Sequence, residues 1–176
     1  MYGVINYAVK ALVLEKFGPE AWRGICEEAG VVDDQWIQHE YYRDEQTVAL
    51  VVAAAKALGV GTDQVLEIYG RYFLKFLKDN GMDKILYIMG QDLPDFLGNL
   101  DYLHQHLHDT WKDASFPHFT CTRLANGDVD LRYQSSRGNL LAPFVQGLIS
   151  AVAEVPSLRA PCVNWQRGAL DGRRTI

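Results

Sequence analysis

The chain has 176 residues, 48% of them hydrophobic and 22% charged, and its 22 acidic against 17 basic residues give a net charge of −5. This is the composition of a globular protein, and it excludes a disordered chain, a collagen-like repeat and a disulfide miniprotein. The acidic balance argues against a protein that binds the phosphate backbone of nucleic acids. Three cysteines without paired spacing support neither a disulfide framework nor a thiolate zinc site.

The N-terminus lacks the basic region and the small-residue cleavage site of a signal peptide. The longest apolar run, Val48–Ala55, is too short to cross a membrane. We therefore expect a cytoplasmic protein that binds neither membranes nor nucleic acids.

The first two-thirds of the chain show helical periodicity. Apolar residues recur at helical spacing from Val4, and Gly18-Pro19 is expected to end this first helix and open a second, shorter one. The segments expected after it are a loop-rich connection over 31–46, helices over 47–58 and 62–80, and a short helix around 84–89.

The last third combines a long helix with strands. Asp92 is expected to cap a helix that reaches Trp111. Past Pro117 the period changes to two, which predicts strands over 119–124 and 129–135 joined by an Asn126-Gly127 hairpin turn, and a helix follows over 142–154. We therefore expect an α+β domain, with a helical N-terminal part followed by a small antiparallel sheet packed with helices, and one domain over residues 1–176.

Three of the five histidines lie in one segment of the predicted helix, LDYLHQHLHDTW. Because successive helical residues turn by about 100°, His104 falls within an apolar stripe, His108 lies at its margin and His106 faces the opposite side. His104 has three possible roles: a packed core residue bonded to a backbone carbonyl, a zinc ligand together with His108, or the single axial ligand of a haem iron in an apolar cavity. The pattern leaves all three open.

A second candidate site is the sequence LRYQSSRG at the end of the second strand. On a strand, Tyr133, Ser135 and Arg137 share one face, which presents a phenol, a hydroxyl and a guanidinium. Such a set suits a dianionic group such as two propionates, because arginine binds carboxylates through two hydrogen bonds. A solvated strand face is the alternative interpretation.

The two features together resemble the H-NOX family of haem nitric oxide/oxygen-binding domains, which includes the haem domain of the soluble guanylate cyclase β subunit. The resemblance rests on the MYG-V-x-N-x-A opening, on GPEAW, LGV and NLDYLH, on Pro117 before F-x-C, and on YxSxR followed by a helix. It covers residues 1 to about 154, and the tail over 155–176 matches poorly.

The resemblance implies a pocket for haem b, with one role for each matching residue. His104 matches the proximal iron ligand, and the match extends to the propionate clamp of Tyr133, Ser135 and Arg137. Ile5 and Pro117 match positions that press on the porphyrin, although a packing role alone would explain both apolar side chains equally well.

The distal side of the pocket decides which gas binds. The resemblance to the family implies that the distal positions are Val9, Phe73 and Phe144, and none of these side chains can donate a hydrogen bond. Bound oxygen gains from a donor and nitric oxide does not, so we expect nitric oxide and carbon monoxide to bind and oxygen to be excluded. An oxygen-binding sensor is the alternative if a nearby tyrosine turns inward; the candidates are Tyr7, Tyr69 and Tyr72.

The resemblance further implies a binding switch rather than an enzyme. Nitric oxide weakens the iron–histidine bond. His104 then leaves the iron, or the haem relaxes, and the helix that carries His104 shifts and signals to a partner protein. In stand-alone bacterial members that partner is a histidine kinase or a diguanylate cyclase. Two rival hypotheses remain: a haem peroxidase, which would need a distal His–Arg pair, and a colourless non-haem helical adaptor.

Overall fold

The structure is a computed structural model that describes residues 1–32, 34–82, 84, 88–125, 128–158 and 174–175. Its elements in chain order are α1 (Gly3–Ala29), α2 (Asp44–Leu58), α3 (Thr62–Asp79), α4 (Leu93–Gly98), α5 (Leu100–Thr110), β1 (His118–Arg123), β2 (Val129–Gln134), α6 (Ala142–Ala153), a 3₁₀ turn (Pro156–Leu158) and β3 (Arg174–Thr175). The expected α+β class is confirmed.

Helix α1 consists of two helical segments that meet at Gly18. Gly18 has φ 81° and ψ 178°, a conformation that only glycine adopts readily, and Pro19 follows it directly. The kink predicted at Gly18-Pro19 is therefore confirmed.

Helices α1, α2 and α3 share the first of two apolar cores. Their interior residues include Val9, Leu50 and Leu66, all almost fully buried. Residues between α1 and α2 form an irregular connection, as expected, and Tyr41 makes an isolated antiparallel bridge to Tyr2. Helix α2 begins three residues earlier than predicted, because Asp44 and Glu45 suit a first helical turn, where the backbone N–H groups attract negative charge.

Helices α3 and α6 pack closely because a glycine stands at each side of the crossing. A Cβ atom added to Gly70 would lie 2.0 Å from the carbonyl oxygen of Phe144, and one added to Gly147 would lie 2.0 Å from the carbonyl oxygen of Glu67. Neither position has room for a side chain, so the pair fixes the position of α6 against α3.

The long helix predicted from Asp92 to Trp111 is wrong, because the chain forms two helices that meet at Asn99. The expected cap is present, since Asp92 Oδ1 accepts a hydrogen bond from the Asp95 N–H at 2.8 Å. Asn99 has φ −92° and ψ −3°, and its side-chain amide donates to the Met89 carbonyl at 2.8 Å. This bond to a neighbouring segment holds the residue out of a regular helix.

Strands β1 and β2 form an antiparallel pair, with Phe119 opposite Tyr133, and β3 adds a short third strand beside β2. The second apolar core lies between this sheet, α4 and α6. Both predicted strands are present with slightly shifted ends. The predicted Asn126-Gly127 turn lies outside the described residues, as do residues 85–87 of the short helix expected around 84–89, and most of the tail.

Among the described residues, no single helix has both the length and the apolar character needed to cross a membrane. Helices α2 and α3 meet those criteria only when taken together, and they are bent by 108° at their junction.

Candidate functional site

His104 lies on α5 between two aromatic rings. Its ring centroid is 5.5 Å from that of Phe116 and 5.4 Å from that of Phe119. Its Nδ1 is 2.7 Å from the Leu100 carbonyl oxygen one turn earlier. A carbonyl can only accept, so Nδ1 carries the proton and Nε2 keeps its lone pair. The bond to Leu100 is what the core-packing alternative predicts, and it also orients a ligating histidine.

Burial lowers the pKa of His104, and the hydrogen bond to Leu100 and the charge of Asp101 oppose this shift only in part. The imidazole is therefore neutral at physiological pH, the form in which histidine binds a metal. The other two histidines on α5, His106 and His108, are both exposed.

A cleft of about 420 Å³ opens beside His104. Pro117 and Phe116 line it together with His104, and His108 and His118 stand at its wall. The structure therefore brings together His104 and Pro117, two of the residues predicted from the sequence. No group of three or more His, Cys, Asp or Glu side chains in the described part of the chain could hold a metal ion, so the zinc alternative lacks a ligand set there.

Tyr133, Ser135 and Arg137 do not share one strand face, because β2 ends at Gln134. The chain turns at that point, where the Gly138 N–H donates to the Ser135 carbonyl at 3.0 Å. The three residues are still connected, since the Arg137 N–H donates to Ser135 Oγ at 3.1 Å and the Ser135 side chain bonds to the Tyr133 phenol. Burial raises the pKa of Tyr133, which keeps it a neutral donor.

The Arg137 guanidinium binds a carboxylate. Its Nε lies 2.5 Å from Asp44 Oδ2 and its Nη2 lies 3.2 Å from Asp44 Oδ1, while Nη1 donates to the Ser115 carbonyl at 2.6 Å. The α-ammonium of Met1 lies 2.6 Å from the same carboxylate. Burial raises the pKa of Asp44, but the bonds from Arg137 and Met1 outweigh burial and leave that pKa below its usual value.

The clamp residues connect to His104 through two contacts. The Phe119 ring lies between His104 and Tyr133, with its centroid 5.5 Å from that of Tyr133. Ser115, which accepts from Arg137, also lines the cleft beside His104. The two features predicted separately from the sequence are thus adjacent in the fold.

The four remaining predicted residues lie on α1, α3 and α6, where three of them surround Tyr69. The Tyr69 ring centroid is 5.9 Å from that of Phe73 and 4.8 Å from that of Phe144, and its hydroxyl donates to the Ile5 carbonyl at 2.8 Å. Val9 lies one turn after Ile5 on α1 and is buried in the same core. A phenol therefore stands among residues that the sequence predicted to lack any donor.

Sequence reasoning missed Asp44, which no local motif marks and which is 93 residues from Arg137. Tyr69 was one of three candidate tyrosines, and its spacing on α3 gave no means of choosing it over Tyr72. Tyr72 instead points to the surface and donates to Glu15 at 3.0 Å.

These residues fit the requirements of a haem group. His104 offers a neutral imidazole with a free Nε2. Phe116 and Pro117 give the cleft beside it an apolar part, while most of its other lining residues, such as Asp101 and Gln105, are polar. Arg137 already binds a carboxylate through two nitrogens, which is the chemistry a propionate needs.

Comparison with known proteins decides the family. A family model described as haem-NO-binding matches residues 2–158. The chain belongs to this H-NOX family. H-NOX domains are haem-binding sensor domains and are not catalytic by themselves.

Among curated proteins, this H-NOX chain is 34% identical over 159 residues to the soluble guanylate cyclase gcy-35 of Caenorhabditis elegans, a match that covers 87% of this chain and 22% of the relative. It is 24% identical over 154 residues to the soluble guanylate cyclase 89Db of Drosophila melanogaster, a match that covers 88% of this chain and 23% of the relative. The chain thus spans less than a quarter of the length of these relatives.

Solved structures show the same fold. An H-NOX protein from S. oneidensis in the Fe(II)NO ligation state superposes with a TM-score of 0.76 at 22% identity, covering 88% of this chain and 84% of that one. A Cs H-NOX mutant carrying 4-cyano-L-phenylalanine at site 5 superposes with a TM-score of 0.80 at 18% identity, and the match covers 99% of this chain and 92% of that one.

Proposed function

We propose that this H-NOX domain is a gas sensor that holds haem b through His104 and binds nitric oxide and carbon monoxide at a five-coordinate ferrous iron. The haem supplies the iron that takes up the gas. The observation that carries the proposal is the state of His104, with Nδ1 committed to the Leu100 carbonyl and Nε2 free beside the cleft that contains Pro117.

The proposed clamp for the two propionates consists of Tyr133, Ser135 and Arg137. Two hydrogen bonds support this assignment, because they connect the Ser135 side chain to the Tyr133 phenol and to the backbone N–H of Arg137. Asp44 occupies Arg137 in the present structure, so a propionate would share or replace that partner.

The proposal also holds that the domain does not bind oxygen. Val9, Phe73 and Phe144 offer no hydrogen bond to a bound gas, and the phenol of Tyr69 is committed to the Ile5 carbonyl. A bound oxygen molecule would find no free donor among these residues, whereas nitric oxide and carbon monoxide need none.

An oxygen-binding sensor is the second candidate, and Tyr69 is the observation that favours it. The phenol lies among Ile5, Phe73 and Phe144, so a rotation that releases the Ile5 carbonyl would provide a donor. The two candidates differ in whether that hydroxyl ever leaves the carbonyl.

The output we propose is release of His104 from the iron, followed by movement of α5. A separate histidine kinase or diguanylate cyclase is the proposed partner, and residues 1–176 are proposed to form one sensing domain. The curated relatives support coupling to a cyclase, since they are longer proteins named as guanylate cyclases.

The test is the ultraviolet-visible spectrum of the purified ferrous protein in air, before and after nitric oxide is added. A five-coordinate spectrum that ignores oxygen and shifts with nitric oxide is the expected result. A stable oxygen complex would favour the second candidate. A colourless protein after expression with ample haem would overturn both gas-sensor candidates and favour the non-haem helical adaptor.

Two variants tie the spectrum to one residue. His104→Ala is expected to lose the five-coordinate spectrum, because it removes the free Nε2 beside the cleft. His106→Ala is the matched control, since His106 lies two residues away on α5 with an exposed side chain and should leave the spectrum unchanged.

A further inference from the structure

The hydroxyl of Tyr69 joins α3 to the first turns of α1. It donates to the carbonyl oxygen of Ile5 at 2.8 Å, across 64 residues of sequence. The Tyr69 side chain is only 3% exposed, so water does not supply an alternative partner. A buried hydroxyl without a partner is unfavourable, and this bond therefore ties the backbone of Ile5 to α3.

Tyr69 is itself held in place by aromatic neighbours on α3 and α6. Its ring packs against Phe73 on the same helix and against Phe144 on α6. The neighbouring Gly70 brings the α3 backbone against the Phe144 carbonyl, with no room for even a methyl group. The phenol thus projects from a closely packed helix pair and has little freedom to follow α1 if that helix moves.

The start of α1 also contacts the connection that leads to α2. A Cβ added to Gly3 would lie 2.2 Å from the carbonyl oxygen of Ile37, and the Gly3 N–H donates to the Glu40 carbonyl at 2.9 Å. Two contacts therefore hold the first turn of α1: the 37–42 connection at Gly3 and the Tyr69 hydroxyl at the Ile5 carbonyl.

We infer that Tyr69 is a positioning residue that sets how far the Ile5 side chain reaches toward the haem. The inference rests on the proposed function and on one further part of it, that the Ile5 side chain contacts the porphyrin, as its match to the family position implies. Tyr69 acts through Ile5 rather than through the bound gas. The shape of a porphyrin affects the reduction potential of its haem. A change in the position of Ile5 can therefore be measured as a change in the midpoint reduction potential.

The test is a double-mutant cycle on the haem-loaded protein, with the midpoint reduction potential as the readout. The variants are Tyr69→Phe, Ile5→Ala and the two together. Tyr72→Phe is the matched control, because it removes a hydroxyl from the same helix three residues away, where the partner is Glu15 at the surface. Phenylalanine keeps the ring of Tyr69 between its aromatic neighbours, so the fold is retained.

The expected result is that Tyr69→Phe moves the potential in the same direction as Ile5→Ala. In the Ile5→Ala background the Tyr69→Phe change should have no further effect, because the side chain that it positions is gone. Tyr72→Phe should leave the potential at its wild-type value.

Two results would overturn the inference and leave the haem assignment standing: an unchanged potential in Tyr69→Phe, or shifts of the two single variants that simply add. If Ile5→Ala itself leaves the potential unchanged, then Ile5 does not contact the porphyrin and the inference fails with that contact. A chain that retains no haem at all would instead defeat the proposed function.

A vibrational measurement separates positioning from direct contact with the gas. If Tyr69 donates to the bound ligand, Tyr69→Phe will shift the C–O stretch of the carbon monoxide complex in both the wild-type and the Ile5→Ala backgrounds. The inference requires that no such shift persists once Ile5 is alanine. Thermal unfolding of the haem-loaded wild type and the four variants checks that each protein is folded.

Discussion

Arg137 and Asp44 are 93 residues apart in sequence, and their side chains meet through two hydrogen bonds, of 2.5 Å from Nε and 3.2 Å from Nη2. The pair joins the turn after β2 to the first residue of α2. Met1 binds the same carboxylate, so three distant points of the chain converge on one partly buried acidic group. Such a convergence makes Asp44 a structural residue as well as a partner for the proposed clamp.

Replacement of Asp44 by asparagine should lower the free energy of unfolding by about 1.5–3 kcal/mol at neutral pH, the range for hydrogen bonds that involve charged groups. The loss should be pH-dependent. Because the folded protein lowers the pKa of Asp44 below 3.8, this stabilisation is complete above that value and disappears as the pH falls through the folded pKa. Urea unfolding between pH 6 and pH 3 measures the difference.

The matched control is Asp63→Asn, at an exposed position in the first turn of α3. Its unfolding curve should stay close to that of the wild type. A stability difference between Asp44→Asn and wild type that did not shrink in acid would contradict the role assigned to the carboxylate charge.

Replacement of Arg137 by lysine should speed the loss of haem about tenfold or more, because an ammonium cannot reproduce the two-point contact with a carboxylate. Transfer of haem to excess apomyoglobin measures the rate. Arg132→Lys is the surface control and should transfer haem at the wild-type rate. Equal rates for Arg137→Lys and Arg132→Lys would remove Arg137 from the clamp.

Replacement of Gly70 by alanine should cost about 1–3 kcal/mol of unfolding free energy, because the new methyl group would overlap the Phe144 carbonyl and force α3 and α6 apart. Gly24 offers a matched control, since it lies in α1 with nothing near its added Cβ. Gly24→Ala should be neutral or stabilising by up to about 1 kcal/mol. Thermal or urea unfolding of both variants gives the comparison.

Glu15 should titrate with a pKa of about 2, against an ordinary value of 4.5. The largest cause is its bond to Lys16, and the next is its bond to Lys75 at the surface between α1 and α3. Replacing either lysine by methionine should move that pKa upward, with the larger change for Lys16. Carbon-detected NMR of the Glu15 carboxyl group follows the titration directly. A value near 4.5 in the wild type would show that these surface bonds do not persist in solution.

Local signals in the sequence predicted the parts of the fold that local chemistry determines. Gly18-Pro19 breaks α1 because neither residue continues a helix, and that effect needs no neighbour. The break at Asn99 escaped prediction because it depends on a hydrogen bond to Met89, in another segment. The apolar stripe through 93–111 reads as one helix until that contact is known.

In the candidate site too, the sequence predicted residues with a local signal and missed residues whose partners lie in other elements. His104 could be chosen from the sequence because an imidazole within an apolar stripe is conspicuous. Asp44 could not, since its partner lies in another element and its own surroundings resemble an ordinary first helical turn. Tyr69 and Tyr72 differ only in which way α3 faces, and the packing of α3 against α1 and α6 decides that.

Helix α5 carries His104, and its most buried residue, Leu100, lies at its start. Beyond its other end, Trp111 stacks on Tyr2 with a centroid distance of 4.8 Å. Between these ends, His104 packs on Phe119 of β1 and on Phe116. A displacement of the imidazole would therefore press first on the sheet. Because α4 is a separate helix that ends before Asn99, it would not move with α5 as one continuous rod.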